Sequence, residues 1–388
     1  MERRERIVHG TSARVVLVGP VAPPYGGMAL QGALLQRLLT EDGVGAQLLG
    51  YNEAFSHPWR VLEAVPAVRT VLRLVRLYVR FWKSARNCEV VHILAASWLY
   101  FFLIVCPIVV LGRLRDKRVV LNYRAGGAND FLKRCAWCTR PFFQMADVNT
   151  TPSRFLAQVI QRRVGVPVSI VPNIVDFSSF RYRQRTSFQP KLLVTRHLEP
   201  LYDMESIIRA FQQVQKRFPE ASLSIVGSGS QEAYLRDLAD RWRLSGVEFL
   251  GHVQHEALPE IYDQCDILVN ASRVDNFPGS LMEASAAGLL VVSTNAGGIP
   301  FIYEHRKSAL LVDVGDWEAL AAEVVHALDD QVLARTLTAA AVELCMQCDW
   351  RNVRCALYGV YGFALPEEEG QRSSAAPHLV QTPASNGL

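Results

Sequence analysis

Short apolar runs rich in Val, Ile and Leu alternate along this 388-residue chain with stretches whose apolar positions recur at helical spacing. Such runs predict buried strands, and their alternation with helices is typical of parallel sheets covered on both faces. The strands predicted in the first half are 14–19, 46–51, 89–94, 118–123, 147–151 and 169–171. Those predicted in the second half are 192–195, 222–226, 247–250, 267–270, 291–294 and 309–312.

A polar, strand-poor segment at 176–190 separates the two series of strands. The pattern therefore predicts two Rossmann-like, doubly wound α/β domains, at 1–178 and 179–348. A helix follows at 349–365, for which crossing back to the first domain is one option. The Pro-, Ser- and Glu-rich tail at 366–388 is predicted to be disordered.

Charge is distributed unevenly between the two halves. Residues 1–175 hold 23 Lys and Arg against 10 Asp and Glu, whereas the rest of the chain holds 18 against 27. The basic first half predicts an anionic partner, which leaves nucleic acid, a membrane surface and an acidic acceptor as alternatives.

Cysteine spacing and the start of the chain bear on the compartment. The charged start and the Gly and Pro residues that interrupt the next apolar run do not fit a signal peptide. We therefore expect a cytoplasmic protein whose eight cysteines are reduced thiols. The pairs Cys135/Cys138 and Cys345/Cys348 have zinc-ligand spacing, but they lie far apart and no His accompanies them. We favour buried structural thiols and expect no metal.

The apolar run at 94–111 is long enough to raise a transmembrane interpretation. It lies between two predicted strands, however, which is where an α/β domain places a buried crossover helix. We favour the crossover helix over a span of the bilayer.

Basic residues recur at spacings of three and four from Arg69 to Lys83, which places them on one helix face beside Val, Leu, Phe and Trp. A helix of this kind suits an anionic membrane surface, so residues 69–83 are a candidate peripheral contact at the inner face of the cell membrane. An ordinary surface helix whose apolar side packs on the sheet is an equal alternative. No nucleic-acid-binding motif accompanies the stripe, and we expect no nucleic-acid partner.

Loops that follow predicted strands carry most of the functional weight, because ligands of open α/β sheets bind at the carboxyl ends of the strands. Glycines there let a backbone approach a ligand closely, and an Arg can clamp a phosphate or carboxylate. Each signal is weak alone, since a Gly pair also makes a plain turn and an isolated Arg is usually solvated. The residues concerned are Gly26, Gly27, Arg124, Arg196, Gly227 and Gly229.

The segment "VDNFPGSLMEASAAG" at 274–288 is the strongest candidate. A helix beginning near Gly279 would present free N–H groups and the positive end of its dipole to a phosphate. Glu283, one turn in, could accept hydrogen bonds from ribose hydroxyls, and Asp275 could accept them from a sugar. The alternative is that the two acids only stabilise the start of the helix.

Several segments together resemble a known family. The similarity is carried across 190–330 by "EFLGHVQHEALPEIYDQCDILVNAS", "DNFPGSLMEASAAGLLVVSTNAGGIP" and "SALLVDVGDWEALAAEVVHAL", and more weakly across 14–175 by "PPYGGMA", "VVHI", "VLNYRAGGANDFL" and "TPSRFLAQV". The chain resembles the retaining GT-B glycosyltransferases of family 4, the group 1 enzymes. The resemblance implies two Rossmann-like domains facing a cleft, a UDP- or GDP-sugar donor in the second, an acceptor in the first, and transfer with retention and without a metal or other cofactor.

The resemblance also implies residue roles. Glu283 would bind the ribose, Asp275 the donor sugar and Arg196 the diphosphate, while Gly26 and Gly27 would approach the donor phosphate across the cleft. The residues expected to line the donor site are Gly227, Gly229, His252, Val253, Asn276, Phe277, Pro278, Gly279, Ser280, Leu281 and Glu283.

Three positions depart from the family pattern. Asp275 replaces the first of two glutamates, Tyr202 replaces a Lys six positions after Arg196, and Arg124 replaces a His. Our hypothesis is that Arg124 supplies part of the missing phosphate charge from the opposite domain.

Two functions from different classes are therefore weighed. The first is a hexosyltransferase acting on an anionic acceptor that is lipid-linked or a polysaccharide precursor. The alternative is a catalytically degenerate GT-B protein that binds a nucleotide sugar or a partner, and an epimerase on the same fold is less favoured.

Overall fold

The structure is a computed structural model that describes residues 14–23, 26–55 and 66–365. The chain divides into two units, of which Val175–Asn352 is the second. The first contains the described residues before 175 and from Val353 onward. The tail at 366–388, predicted to be disordered, lies outside the described residues.

The first unit is built on a parallel sheet. Within the described residues it has six strands in the order β2-β1-β3-β4-β5-β6. Its elements are β1 (Arg14–Gly19), α1 (Gly27–Glu41), β2 (Gly45–Gly50), α2 (Pro66–Ser84), β3 (Val90–Ala95), a π-helical turn (Phe101–Val105), α3 (Cys106–Leu114), β4 (Arg118–Tyr123), α4 (Ala128–Met145), β5 (Val148–Thr151), α5 (Arg154–Val164) and β6 (Ser169–Ile170).

The second unit repeats this plan with another winding. Its sheet, again six parallel strands among the described residues, has the order β12-β11-β10-β7-β8-β9. Its elements are β7 (Lys191–Thr195), α6 (Met204–Arg217), β8 (Ser222–Val226), α7 (Glu232–Arg241), β9 (Val247–Gly251), α8 (Leu258–Gln264), β10 (Ile267–Asn270), α9 (Gly279–Ala287), β11 (Leu290–Thr294), β12 (Leu310–Val312), α10 (Trp317–Asp329) and α11 (Gln331–Met346).

The polar segment at 176–190 is part of the second unit. Arg185 is buried and pairs with Asp266 at 2.8 Å, and its guanidinium also donates to the carbonyl groups of Cys265 and Ala287. Val175 already donates its backbone N–H to the carbonyl of Cys348 at 3.0 Å. The second unit therefore begins before the position predicted from composition.

The last helix, α12 (Trp350–Tyr361), covers one face of the first sheet from Val353 onward. The Tyr361 hydroxyl lies 2.6 Å from Nδ1 of the buried His92, and the Arg118 Nε donates to the carbonyl of Val360 at 2.8 Å. Burial and the nearby Arg124 lower the pKa of His92 to about 3, so the imidazole is neutral.

The apolar run at 94–111 forms the end of β3, a loop, the π-helical turn and most of α3. Phe101, Val105 and Ile108 are fully buried in the core of the first unit, as a crossover helix requires. Among residues 14–23, 26–55 and 66–365, no helix is both long and apolar enough to cross a membrane.

The two cysteine pairs lie in different units. Cys345 and Cys348 are buried in the second unit, as predicted, whereas Cys135 and Cys138 on α4 are only half-buried. The described residues contain no group of three or more side chains arranged to hold a metal ion.

Candidate active site at the switch point of the second sheet

The winding of the second sheet fixes where a ligand crevice forms. The chain runs outward from β7 to one edge and then from β10 to the other, so the strand order reverses between these two neighbours. Ligands of doubly wound sheets bind at the carboxyl ends of the strands at such a point. Arg196 directly follows β7 and Asn270 is the last residue of β10, so both lie at this edge.

Arg196 and Asp275 are held together as an ion pair. The Arg196 Nη2 lies 2.8 Å from the Asp275 Oδ2, and the two side chains are only 12% and 13% exposed. The guanidinium also lies over the ring of Tyr202, 5.3 Å from its centroid. Arg196 was predicted to bind a diphosphate and Asp275 a sugar. A donor bound in this way would either break the ion pair between Arg196 and Asp275 or contact both side chains while they stay paired.

Asn270 orients Arg196. Its Oδ1 accepts from the Arg196 Nε at 3.1 Å and from the Ser272 Oγ at 2.7 Å, and its Nδ2 donates to the Ser293 Oγ at 2.9 Å. The Asn270 side chain is buried, so these bonds are shielded from water. Sequence reasoning missed this residue, and its only signal was its place at the end of a predicted strand.

The loop that carries Asp275 rests on a glycine pair. The Gly298 N–H donates to the Asp275 carbonyl at 2.7 Å. A Cβ at Gly297 would lie 2.2 Å from that oxygen, and a Cβ at Gly298 would lie 2.0 Å from the Asn276 carbonyl oxygen. Gly297 also has a φ of +55°, which disfavours other residues. These two glycines were not singled out from the sequence, although they lie in the "NAGG" segment of the resemblance.

Glu283 is fixed by a tyrosine that the sequence did not indicate. The Tyr262 hydroxyl donates to the Glu283 Oε2 at 3.0 Å and lies 2.8 Å from the Thr195 Oγ1. Burial raises the pKa of Glu283, and His255, the Tyr262 hydroxyl and Arg196 partly oppose that rise. Glu283 is thus a positioned acceptor whose charge depends on its neighbours.

The turn before α9 can contact a ligand mainly through its backbone groups. Pro278 and Leu281 are buried, Phe277 is half-buried, and a proline has no N–H to donate. Gly279 is exposed at the start of the helix, and the Ser280 Oγ is buried without a hydrogen-bond partner in the described residues. The N–H groups of a first helical turn have no partner within their own helix, and such groups suit an anion.

Gly227 and Gly229 have a packing role. A Cβ at Gly227 would lie 1.9 Å from the Arg196 carbonyl oxygen, and one at Gly229 would lie 2.4 Å from that of Leu198. These glycines therefore let the loop after β8 lie directly against the loop that carries Arg196. Beyond β9, His252 is exposed and Val253 is half-buried. Contact of any of the four with a nucleotide stays a prediction.

The candidate residues of the first unit have other surroundings. Gly26 caps α1 and Gly27 begins it, and a Cβ at either would meet no atom within 4 Å. Arg124 donates to the Asn173 Oδ1 and lines a small cavity with Gln31. Burial lowers the pKa of Arg124 to about 10, so it stays charged at neutral pH. Its proposed action on a donor phosphate stays a prediction.

Comparison with known proteins shows which proteins this chain is similar to. Residues 180–343 match the family model described as "Glycosyl transferases group 1". A glycogen synthase of Mycobacterium tuberculosis is 27% identical over 81% of this chain and 77% of its own length. A GDP-mannose-dependent alpha-(1-6)-phosphatidylinositol monomannoside mannosyltransferase of the same organism is 30% identical over 46% of this chain and 49% of its own.

A solved structure shows the same fold over most of the chain. The Anabaena protein HepE, crystallised in complex with UDP, superposes with a TM-score of 0.68 at 15% identity, covering 89% of this chain and 98% of HepE. At that identity the similarity speaks for the fold alone. With the two parallel six-stranded sheets, it shows a two-domain Rossmann-like GT-B fold, and residues 180–343 are similar to the group 1 glycosyltransferases.

Proposed function

We propose that the protein transfers a hexosyl group, with retention of configuration, from a UDP- or GDP-sugar to an anionic acceptor that is lipid-linked or a polysaccharide precursor. The observation that carries the proposal is the set of Arg196, Asn270 and Asp275 at the switch point of the second sheet, beside the N-terminus of α9.

The proposed chemistry follows from where charge develops. The bond between the sugar C1 and the diphosphate oxygen breaks, a bond from C1 to the acceptor oxygen forms on the same face, and the acceptor hydroxyl gives its proton to the departing diphosphate oxygen. The departing diphosphate gains negative charge, which Arg196 and the positive end of α9 are placed to stabilise. Released from Arg196, Asp275 would accept hydrogen bonds from the sugar, and Glu283 from the ribose. No step of this proposal calls for a metal.

Two observations support an anionic, lipid-linked acceptor. Residues 1–175 hold 23 Lys and Arg against 10 Asp and Glu, whereas acidic residues outnumber basic ones in the rest of the chain. One relative is by name a phosphatidylinositol monomannoside mannosyltransferase, although the match covers about half of each chain. We therefore propose action at the inner face of the cell membrane, with a peripheral contact that includes residues 69–83.

Measuring nucleotide release tests the proposal. UDP- and GDP-sugars are first screened by thermal shift, since a ligand that binds only the folded state raises the melting temperature. The donor that stabilises the protein is then incubated with and without lipid-linked acceptors. Acceptor-dependent release with a retained anomer is expected. A donor that raises the melting temperature but never releases nucleotide would instead identify a binding protein, for which Tyr202 in place of a Lys is the motivating feature.

A further inference from the structure

Three helical elements form one layer on the first sheet. The α2 helix packs beside the π-helical turn, where the Tyr78 hydroxyl donates to the Leu103 carbonyl. That turn packs in the core beside α4, with the rings of Phe101 and Phe143 stacked at 5.6 Å. The inner side of the layer is filled by buried residues such as Leu77 and Phe81. We call its outer side, with the loop that leads into the π-helical turn, the α2–α4 surface.

The α2–α4 surface is apolar to an unusual degree. Apart from Leu365, every large apolar side chain that is exposed among the described residues of the first unit lies on α2, α3, α4, the π-helical turn or the segment that leads into it. Trp137 is 83% exposed, and exposed apolar patches on a protein surface commonly mark an interaction site. The full set is Val68, Val71, Val75, Val79, Trp82, Trp98, Leu99, Phe102, Leu114 and Trp137.

The same helices are strongly basic. Helices α2, α3 and α4 contain nine Lys and Arg residues against one acid, Asp130. The stripe predicted on α2 is only partly available, because Arg76 and Arg80 both pair with Glu53. The exposed positive charge lies instead at Lys83, Lys133, Arg134 and Arg140. The membrane contact predicted for residues 69–83 stays a prediction, and four valines are also exposed on that helix.

Trp98 adds an independent observation. Its backbone has a φ of +58°, a left-handed conformation that is unfavourable for a bulky side chain. The ring is nevertheless partly exposed, packs against Phe131 at 5.3 Å and lies 5.9 Å from the Arg134 guanidinium carbon. Strained, exposed residues of this kind concentrate at functional sites.

We propose that the α2–α4 surface docks on a bilayer containing anionic phospholipid. Trp98, Leu99 and Trp137 would enter the boundary between headgroups and acyl chains, where amphipathic aromatic rings are favoured. Lys133 and Arg140 would meet the lipid phosphates. The choice of a bilayer follows from the combination of positive charge with a broad apolar face. The idea that docking brings the enzyme to a lipid-linked acceptor rests on the proposed function. Docking itself can be measured without turnover.

Flotation of the full chain with vesicles tests the docking. We expect binding to vesicles of phosphatidylglycerol mixed with phosphatidylcholine, little binding to phosphatidylcholine alone, and weaker binding at high salt. The variant Leu99→Ser/Trp137→Ser should lose at least about tenfold in partitioning, because the apolar contact is removed. The variant Lys133→Gln/Arg140→Gln should lose about 25-fold, since each basic residue near an anionic surface contributes about fivefold.

Control variants keep the test specific. Val332→Ser removes an equally exposed apolar side chain of the second unit, and Lys307→Gln removes an exposed charge there, and both should float like the wild type. Nucleotide release with the stabilising donor should be unchanged in all four variants, which separates this proposal from the proposed function. The proposal is overturned if the wild type does not float or if all variants float equally. It is also overturned if the wild type sediments as a dimer and Leu99→Ser/Trp137→Ser sediments as a monomer.

Discussion

In the second unit β7 and β10 end in a connected set of polar side chains, whereas in the first unit β3 and β4 run beneath a helix. Arg196 is bonded to Asn270 and paired with Asp275 at an open edge. His92, by contrast, is buried under Tyr361. The second unit therefore contains a candidate site whose polar side chains already contact one another. In the first unit, the distinguishing features are the exposed apolar and basic side chains of its helices.

The largest expected effect comes from removing the cation at that edge. Arg196→Ala should lower kcat by about 100- to 1,000-fold, the usual loss when one group that stabilises transition-state charge is deleted. Steady-state kinetics with the donor found by thermal shift measure it. Arg209→Ala is the control, because Arg209 pairs with Glu205 on its own helix and lies over the Trp242 ring. An Arg196→Ala enzyme with normal turnover would contradict the proposed role.

The glycine pair behind the Asp275 loop gives the next largest effect. Gly298→Ala places a Cβ 2.0 Å from the Asn276 carbonyl oxygen, so the loop must shift, and turnover should fall by about 100-fold. Gly359→Ala is the matched control in the first unit, since a Cβ there meets nothing within 4 Å. Comparing kcat/KM and melting temperature of both variants checks this. Equal behaviour would show that the loop tolerates displacement.

Glu283 predicts a pH dependence of stability and of donor binding in the second unit. Burial raises its pKa, so the folded state holds a proton more tightly than the unfolded chain. Its contribution to the free energy of unfolding is therefore largest at low pH and declines as pH rises through the usual and then the raised pKa. Donor binding should show the opposite trend, because the ribose needs the carboxylate.

Titration calorimetry measures that trend, with the nucleoside diphosphate of the donor that the thermal-shift screen identifies. Affinity should fall as pH falls through the raised pKa of Glu283. Glu283→Gln should weaken binding about tenfold at neutral pH, as hydrogen bonds to a charged group contribute about 1.5–3 kcal/mol, and should flatten the pH profile. An unchanged profile in the variant would assign the titration to another group.

The smallest effect is expected in the first unit. Arg124 is held by Asn173 and acts at most through a screened charge, so Arg124→Ala should lower kcat/KM about fivefold, equivalent to about 1 kcal/mol. Arg163→Ala is the control, because Arg163 makes a similar bond to Asn129 at an exposed position. Unchanged turnover in Arg124→Ala would remove Arg124 from the mechanism and sharpen the contrast between the units.

Much of the fold could be predicted because periodicity and burial are local properties of the sequence. The strands at 14–19, 118–123, 222–226 and 267–270 have the predicted bounds. A start of α9 near Gly279 was also predicted, because the run "NFPG" at 276–279 comes before Ser280 and the alanines. The polar segment at 176–190 was interpreted as a separator, because hydrophilicity does not reveal that Arg185 has a buried partner.

Sequence by itself determined the two series of strands, the loops that carry Arg196 and Asp275, the helix that carries Glu283, and the excess of basic charge in the first half. Only the tertiary structure decided that Asn270 bonds Arg196, that Gly297 and Gly298 support the Asp275 loop, and that large apolar side chains of α2, α3 and α4 stay exposed. The physical reason is that these contacts join residues far apart in the chain, and sheet order and helix packing alone determine which of them meet.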